Sequence, residues 1–307
     1  MINVNIKEEF QTARDHLLLK LQIEFRSKNI TINGPVRKVH YLELGQGDPL
    51  ILIHGGGSNA CEWINILKPL SQKFHLYVVD RPGCGLTDSM DYHGINVSES
   101  AVHFIKSFMD ALSLSQASFL AQSMGGYFSI SFAIRFPQMV ENLVLIGAPA
   151  GLNKRIPLPL RLLGNKIINK ILIKTVAEPS IKNLKSIHKQ ILVANIDALS
   201  DEYLNLMYLG QLLPGAQKGF ISLLENLLTL SGWRKDLYIG DQLHLLRVPV
   251  YFIWGSKDAF EKPESGRSKA AAIKECRFEV VENAGHCPWL DQPEKCVEII
   301  ENILQKA

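Results

Sequence analysis

The run Phe119-Leu120-Ala121-Gln122-Ser123-Met124-Gly125-Gly126 sets a serine between an apolar stretch that reads as a strand, Ala117 to Ala121, and a helix-like run, Tyr127 to Phe136. A strand that turns sharply into a helix lifts a hydroxyl at the bend clear of the sheet. The crowded backbone at such an elbow demands small neighbours. The G-x-S-x-G form of the elbow stands here as Ala121-x-Ser123-x-Gly125, alanine being small enough for the turn. A serine becomes an acyl-transfer nucleophile only with a base for its proton, an acid to orient and charge-match that base, and donors for the oxyanion. Among nine histidines the best base is His286, in Asn283-Ala284-Gly285-His286, just past the last expected strand. The best acid is Asp258, which follows the strand end Ile253-Trp254-Gly255-Ser256-Lys257. The loop Gly147 to Gly151 offers no carboxylate, and Asp80, Asp88 and Asp291 read as structural. The oxyanion donors are expected from the N–H of Met124 and that of Gly56, with Gly57 the second choice, in the run His54-Gly55-Gly56-Gly57. Gln122, Gly55 and Trp289 stand beside these groups and are the expected substrate contacts.

The elements that must position them alternate. Helical spacing covers Glu8 to Leu21, and Asn33-Gly34 separates two extended runs, Gln22 to Ile32 and Val36 to Leu44, as a hairpin turn would. Strands are expected at Leu50 to Ile53, Phe74 to Val79, Ala117 to Ala121, Leu143 to Ile146, Val250 to Trp254 and Arg277 to Val281. Helices fall at Trp63 to Ser71, Val97 to Leu112, Ser265 to Lys274 and Pro293 to Gln305. Such alternation argues for an α/β fold whose mostly parallel sheet is covered on both faces. Reacting groups in such sheets collect at the carboxyl edge. From Leu152 to Leu246 only leucine-rich helical stretches occur. The expected division is therefore an α/β core at 1–151 and 247–307, a short N-terminal helix preceding it, with a helical cap at 152–246.

Bulk properties narrow the classes. The 307 residues suffice for a large core with an insertion, and the net charge of +3 implies no nucleic-acid partner. No apolar run is long enough to span a bilayer, and Met1 to Lys20 lacks the pattern of a signal peptide. The five cysteines, Cys61, Cys84, Cys276, Cys287 and Cys296, are scattered without C-x-x-C spacing. Reduced thiols in the cytoplasm are the simplest expectation. No H-E-x-x-H or other dense ligand cluster occurs, so neither metal nor organic cofactor is expected.

Five motifs, Ile53-His54-Gly55-Gly56-Gly57, Asp80-Arg81-Pro82-Gly83-Cys84-Gly85, Gln122-Ser123-Met124-Gly125-Gly126, Gly255-x-x-Asp258 and Gly285-His286, each fall at a strand end. Together they resemble the α/β-hydrolase fold superfamily, in its capped esterase, haloperoxidase and carbon–carbon hydrolase branch, over roughly residues 20 to 305. The cap is the unmatched part. The resemblance implies an eight-stranded α/β-hydrolase sheet and a triad in the order Ser123, Asp258, His286. Dehalogenases and epoxide hydrolases of this fold use aspartate at the elbow, so serine argues against both. Hydrolases of meta-cleavage products use serine, but usually carry asparagine before it and tryptophan right after the histidine. Gln122 and Cys287 hold those places here, with a tryptophan displaced to Trp289. Hydrolysis of a small-molecule ester therefore leads. Cleavage of a carbon–carbon bond in a meta-cleavage-type diketone stands second, followed by a slow-turnover ligand-binding role.

The cap is unevenly charged. Residues 152–190 hold Lys154, Arg155, Arg161, Lys166, Lys170, Lys174, Lys182, Lys185 and Lys189 against Glu178 alone. With the apolar pairs Leu162-Leu163, Ile167-Ile168 and Ile171-Leu172, the stretch reads in one of two ways. It is a cap helix with a solvated basic face, or a surface that meets an anionic membrane or lipid. The later cap, Tyr203 to Leu230, is rich in Leu, Met, Phe and Tyr, and reads as core packing or as the roof over a partly apolar substrate.

Overall fold

The computed structural model describes residues 2–154, 156–175 and 178–305. Six strands come first in the chain: β1 (Arg26–Thr31), β2 (Lys38–Leu44), β3 (Asp48–Ile53), β4 (Phe74–Val79), β5 (Ala117–Gln122) and β6 (Val140–Ile146). A two-residue pair, β7 (Leu228–Thr229) and β8 (Gly232–Trp233), and then β9 (Val250–Gly255) and β10 (Cys276–Val281) complete the set. The main sheet has eight strands in the order β1-β2-β4-β3-β5-β6-β9-β10. Only β2 runs against its neighbours β1 and β4; every other pairing is parallel.

Parallel strands need crossover helices, and these lie on both faces. The helices are α1 (Ile2–Lys20), α2 (Ile64–Ser71), α3 (Val97–Ala111), α4 (Met124–Arg135), α5 (Leu158–Leu163), α6 (Asn169–Thr175), α7 (Ile181–Ile187), α8 (Asp201–Leu212), α9 (Ala216–Leu227), α10 (Pro263–Ala270), α11 (Pro288–Asp291) and α12 (Pro293–Leu304). Side chains alternate between sheet faces with a period of two, so the central strands feed two cores. Ile51, Ile53, Phe119, Ala121, Leu143 and Leu145 join Phe104, Phe108 and Phe128 of α3 and α4 on one side. Leu50, Leu52, Leu120, Val144 and Ile146 join Ile66 and Leu67 of α2 and Ile300 of α12 on the other.

Three features depart from the sequence reading. Helix α4 begins at Met124 rather than Tyr127, because the Tyr127 N–H already bonds the Ser123 carbonyl at 3.0 Å. The stretch from 152 to 246 is not wholly helical, since β7 and β8 pair antiparallel around a turn that ends at Gly232 (φ 128°). The N-terminal helix α1 begins at Ile2 rather than Glu8, and its Phe10, Leu17 and Leu18 share one core with Tyr203, Leu204 and Leu206 of α8.

The chain leaves the sheet after β6 and returns to it at β9, and the two ends of this helical insertion are tied together. The Gly151 carbonyl accepts from the N–H groups of Ile239 (3.2 Å) and Gly240 (3.0 Å). The Leu152 carbonyl accepts from the Tyr238 hydroxyl at 2.8 Å. Among the described residues no helix is long and apolar enough to cross a membrane.

Candidate active site

Ser123 caps the carboxyl end of β5 with φ 47° and ψ −108°. A non-glycine residue in that region carries strain of about 1–3 kcal/mol, held only where the surroundings over-determine it. Here the Ser123 carbonyl accepts from both Tyr127 N–H (3.0 Å) and Ala150 N–H (2.9 Å). Gly125 lets α4 start directly against the end of β3: a Cβ there would lie 2.0 Å from the Ile53 carbonyl oxygen. Ala121, in the place of the first elbow glycine, is fully buried within the strand.

Asp258 and His286 come from the loops after β9 and β10. The His286 Nδ1 donates to Asp258 Oδ2 at 2.9 Å, and both side chains are buried. Two main-chain donors lock the carboxylate in place, Ala148 N–H on Oδ2 (2.9 Å) and Phe260 N–H on Oδ1 (2.8 Å). The Phe260 ring lies 4.2 Å from the imidazole, centroid to centroid. Glycines permit this closeness of loops, since a Cβ on Gly147 would lie 2.2 Å from the His286 carbonyl oxygen and one on Gly255 would lie 1.9 Å from that of Gly285. His286 Nε2 is buried and makes no hydrogen bond among the described residues. His286 and Ser123 line one cavity, of about 560 Å³.

The glycine run borders that cavity as well, at Gly55, Gly56 and Gly57, with Met124 opposite. Its footing is polar and buried. His54 Nδ1 donates to the Gly55 carbonyl (2.9 Å), while its Nε2 accepts from Arg81 N–H (3.0 Å). Burial, reinforced by the Arg81 charge, pushes the His54 imidazole down to about 3, so it stays neutral and has no free nitrogen with which to act as a base. The Arg81 Nε donates to the His54 carbonyl at 2.9 Å. The N–H of Gly55 is used within the protein: it donates to Glu62 Oε1 at 3.1 Å.

Glu62 was not singled out from the sequence. It is buried, borders the cavity, and burial pushes its carboxyl up to about 7. A glutamate inside the otherwise apolar Ala60-Cys61-Glu62-Trp63 turn is the one signal that pointed to it. His188 also stands at the site, without a sequence motif around it. It is buried, donates from Nδ1 to the Leu184 carbonyl (2.9 Å) and borders the cavity.

Of the expected substrate contacts, Gln122 and Gly55 border the cavity. The Gln122 amide nitrogen lies 3.9 Å from Cys287 Sγ. Trp289 does not border it. Its ring is fully buried, stacks on Trp63 at 4.4 Å and donates from Nε1 to the Glu62 carbonyl at 2.8 Å. The displaced tryptophan is therefore a packing residue that braces the Glu62 turn. Asp80, Asp88 and Asp291 all accept backbone N–H groups, from Ala60 and Leu86, from Lys38, and from Ala194, Asn195 and Gly285 respectively. Arg155 lies outside the described residues.

The rest of the cavity wall is mostly apolar and comes largely from the insertion, including Leu160, Leu184, Met207, Phe220, Leu224 and Trp233. Phe220 of α9 sits over the glycine run, 3.2 Å from where a Cβ of Gly56 would stand. Among the described residues no group of three or more His, Cys, Asp or Glu is placed to hold a metal ion. The arrangement thus brings the strained Ser123, the glycine run and the unbonded Nε2 of His286 to one cavity under a mostly apolar wall.

A family model described as "Alpha/beta hydrolase family" matches residues 50–299. The 2-hydroxy-6-oxononadienedioate/2-hydroxy-6-oxononatrienedioate hydrolase of Escherichia coli O81 is 26% identical over 290 residues, 92% of this chain and 96% of its own. The 2-hydroxy-6-oxo-6-phenylhexa-2,4-dienoate hydrolase of Burkholderia cepacia is 28% identical over 270 residues, 85% and 90% of the two chains. Among solved structures, carboxylesterase CesB of Bacillus subtilis superposes with a TM-score of 0.77 at 22% identity, over 99% of both chains.

Proposed function

The chain belongs to the alpha/beta hydrolase family, and on that premise we propose that it is a serine hydrolase cleaving a carboxylic ester of a small to medium, partly apolar substrate through an acyl-enzyme. The observation that carries the reading is the Asp258–His286 pair. It is held by Ala148 and Phe260 N–H groups and opens onto the same cavity as the strained Ser123. In this reading His286 Nε2 takes the Ser123 proton as Oγ attacks the ester carbonyl. The N–H groups of Gly56 and Met124 hold the oxyanion, each contributing about 100- to 1,000-fold in rate. Collapse breaks the ester bond, and the alcohol leaves with the proton from His286. Water, deprotonated by the same nitrogen, attacks the acyl-enzyme, and the acid departs as Ser123 regains its proton. Asp258 stays ionised, fixing the imidazole tautomer and stabilising the imidazolium. Residues 152–246 act as a cap that shapes the substrate.

Hydrolysis of a carbon–carbon bond is the second reading. It is favoured by relatives of that name aligned along nearly their whole length. The ester is preferred because the lining, among the described residues, holds no lysine or arginine, and its acidic side chains are Glu62, Glu178 and Glu261. They suit a neutral acyl group better than a dianionic one. Gln122 in the place before the nucleophile agrees with this.

A serine-directed fluorophosphonate should label the native chain and leave Ser123→Ala unlabelled. Labelling that persists in the variant would refute the nucleophile. A panel of p-nitrophenyl esters of graded acyl length, run beside a vinylogous diketone, separates the two reactions. Turnover of the diketone alone would replace ester hydrolysis with carbon–carbon cleavage.

A further inference from the structure

Scattered exposed apolar side chains are ordinary, but a group of them in one stretch of chain is not. Leu158 (55%), Ile167 (79%), Ile171 (66%), Ile181 (43%) and Ile187 (44%) are all exposed, and all lie between residues 156 and 190. Exposed lysines are interleaved with them: Lys166, Lys170, Lys182, Lys185 and Lys189. Lys170 and Ile171 lie in the first turn of α6, and Lys166 and Ile167 in the turn just before it. From 152 to 190 there are nine basic residues and one acidic, a net +8 in a chain whose total is +3; the remainder carries −5. The outer face of the described part of this stretch therefore carries exposed isoleucines beside exposed lysines, of which Lys185 is paired with Asp201 of α8.

The inner face of the same segments is cavity wall. Leu160 and Leu163 of α5, Leu184 of α7 and His188 all border the cavity. Leu158 stands between Pro157 and Pro159, which border it too, and Ile187 is at once exposed and part of the wall. A molecule lying on the outer surface is thus one helix thickness from the cavity that holds Ser123.

Charge decides what covers this face. A second copy would bring a second set of exposed lysines against the first, which like-charge repulsion opposes in a symmetric contact. A nucleic acid would satisfy the lysines and leave the isoleucines in water. An anionic bilayer satisfies both, its headgroups taking the lysines and its acyl boundary the isoleucines. We propose that the outer face formed by residues 156–172 and 178–190 docks on an anionic lipid surface, and that the ester cleaved at Ser123 is drawn from that surface; this second half rests on the hydrolase reading above.

Flotation of the full chain with vesicles of phosphatidylcholine, alone or mixed with phosphatidylglycerol, tests the docking without reference to turnover. Binding is expected only to the mixed vesicles and should weaken with added salt. The variants Lys166→Glu/Lys170→Glu and Ile167→Glu/Ile171→Glu should each lower partitioning by at least about tenfold, with hydrolysis of a water-soluble short ester unchanged as proof that they are folded. Ser123→Ala should float as the native chain does. Flotation with neither vesicle, equal flotation with both, or variants that float undiminished would overturn the docking. So would size-exclusion chromatography showing a dimer that the Lys166→Glu/Lys170→Glu variant dissolves. Bound protein that cleaves a vesicle-borne ester no faster than the charge variant does would overturn the second half. Failure of fluorophosphonate labelling with flotation intact would remove the hydrolase reading and leave the docking standing.

Discussion

Glu62 shows what a single buried side chain does to the site around it. Its Oε1 accepts the Gly55 N–H, its main-chain carbonyl accepts the Trp289 indole N–H, and it borders the cavity. It thereby ties the glycine run to the loop that carries His286. Burial raises its carboxyl from 4.5 to about 7, so the folded state holds a proton that the unfolded chain releases. Stability from this group is fully present below pH 4.5 and is lost as pH rises through about 7. Glu62→Gln keeps an acceptor for Gly55 and removes the titration. The native melting temperature should fall relative to the variant's between pH 4.5 and about 7 and run parallel to it above. Parallel curves across that whole range would show that the carboxyl does not titrate there. This residue was hard to read from sequence because a lone glutamate before a tryptophan has no pattern; its meaning lies in what folds over it. Ser123, Asp258 and His286 were legible because each follows a strand and has glycine within three positions, where loops must pass close to one another.

At the scale of elements, the junction of β3, β5 and α4 sets the geometry of the bend. Gly125→Ala would place a methyl 2.0 Å from the Ile53 carbonyl oxygen, against main chain that cannot rotate away. Overpacking of this kind costs about 1–3 kcal/mol. Urea unfolding should register that loss, and kcat should fall by about tenfold or more as Ser123 moves with the helix. Gly94→Ala is the control for its unfolding arm: Gly94 has positive φ but nothing within 4 Å of the added carbon, so only backbone strain of about 1–2 kcal/mol should show, with kcat unchanged. Equal kcat values for the two variants would show that the junction does not govern the serine. The apolar period and the glycine turns made the eight sheet strands readable. The start of α4 was not, because Gly125 and Gly126 are poor helix formers and the helix is begun by the Ser123 carbonyl instead. The β7–β8 pair was missed because two residues per strand carry no period at all.

Across the whole molecule, the roof of the cavity is also fastened to the loop between β4 and α3. The Asn226 amide of α9 donates to the Tyr92 and Ile95 carbonyls, and the Ser222 hydroxyl accepts the Tyr92 N–H at 3.1 Å. The two ring nitrogens of His93 contact the Asp91 and Glu225 carboxylates. Helix α9 carries Phe220 over the glycine run, so this clasp sets how far the roof stands from the nucleophile. Asn226→Ala should cost about 1–3 kcal/mol of stability by orphaning two carbonyls. It should raise KM for long acyl chains several-fold more than for acetate esters, with kcat on the short ester little changed. A uniform rise in KM across chain lengths would count against the clasp as a determinant of selectivity. The ties at Gly151 and Leu152 have a longer reach. Because they bring the two ends of the insertion together, doubling the length of chain between them adds only about 0.6 kcal/mol of closure entropy. Insertions and deletions can therefore remake the roof while the strand register and the elbow beneath it stay as they are, and a lineage built on this plan can change its repertoire by trading roofs.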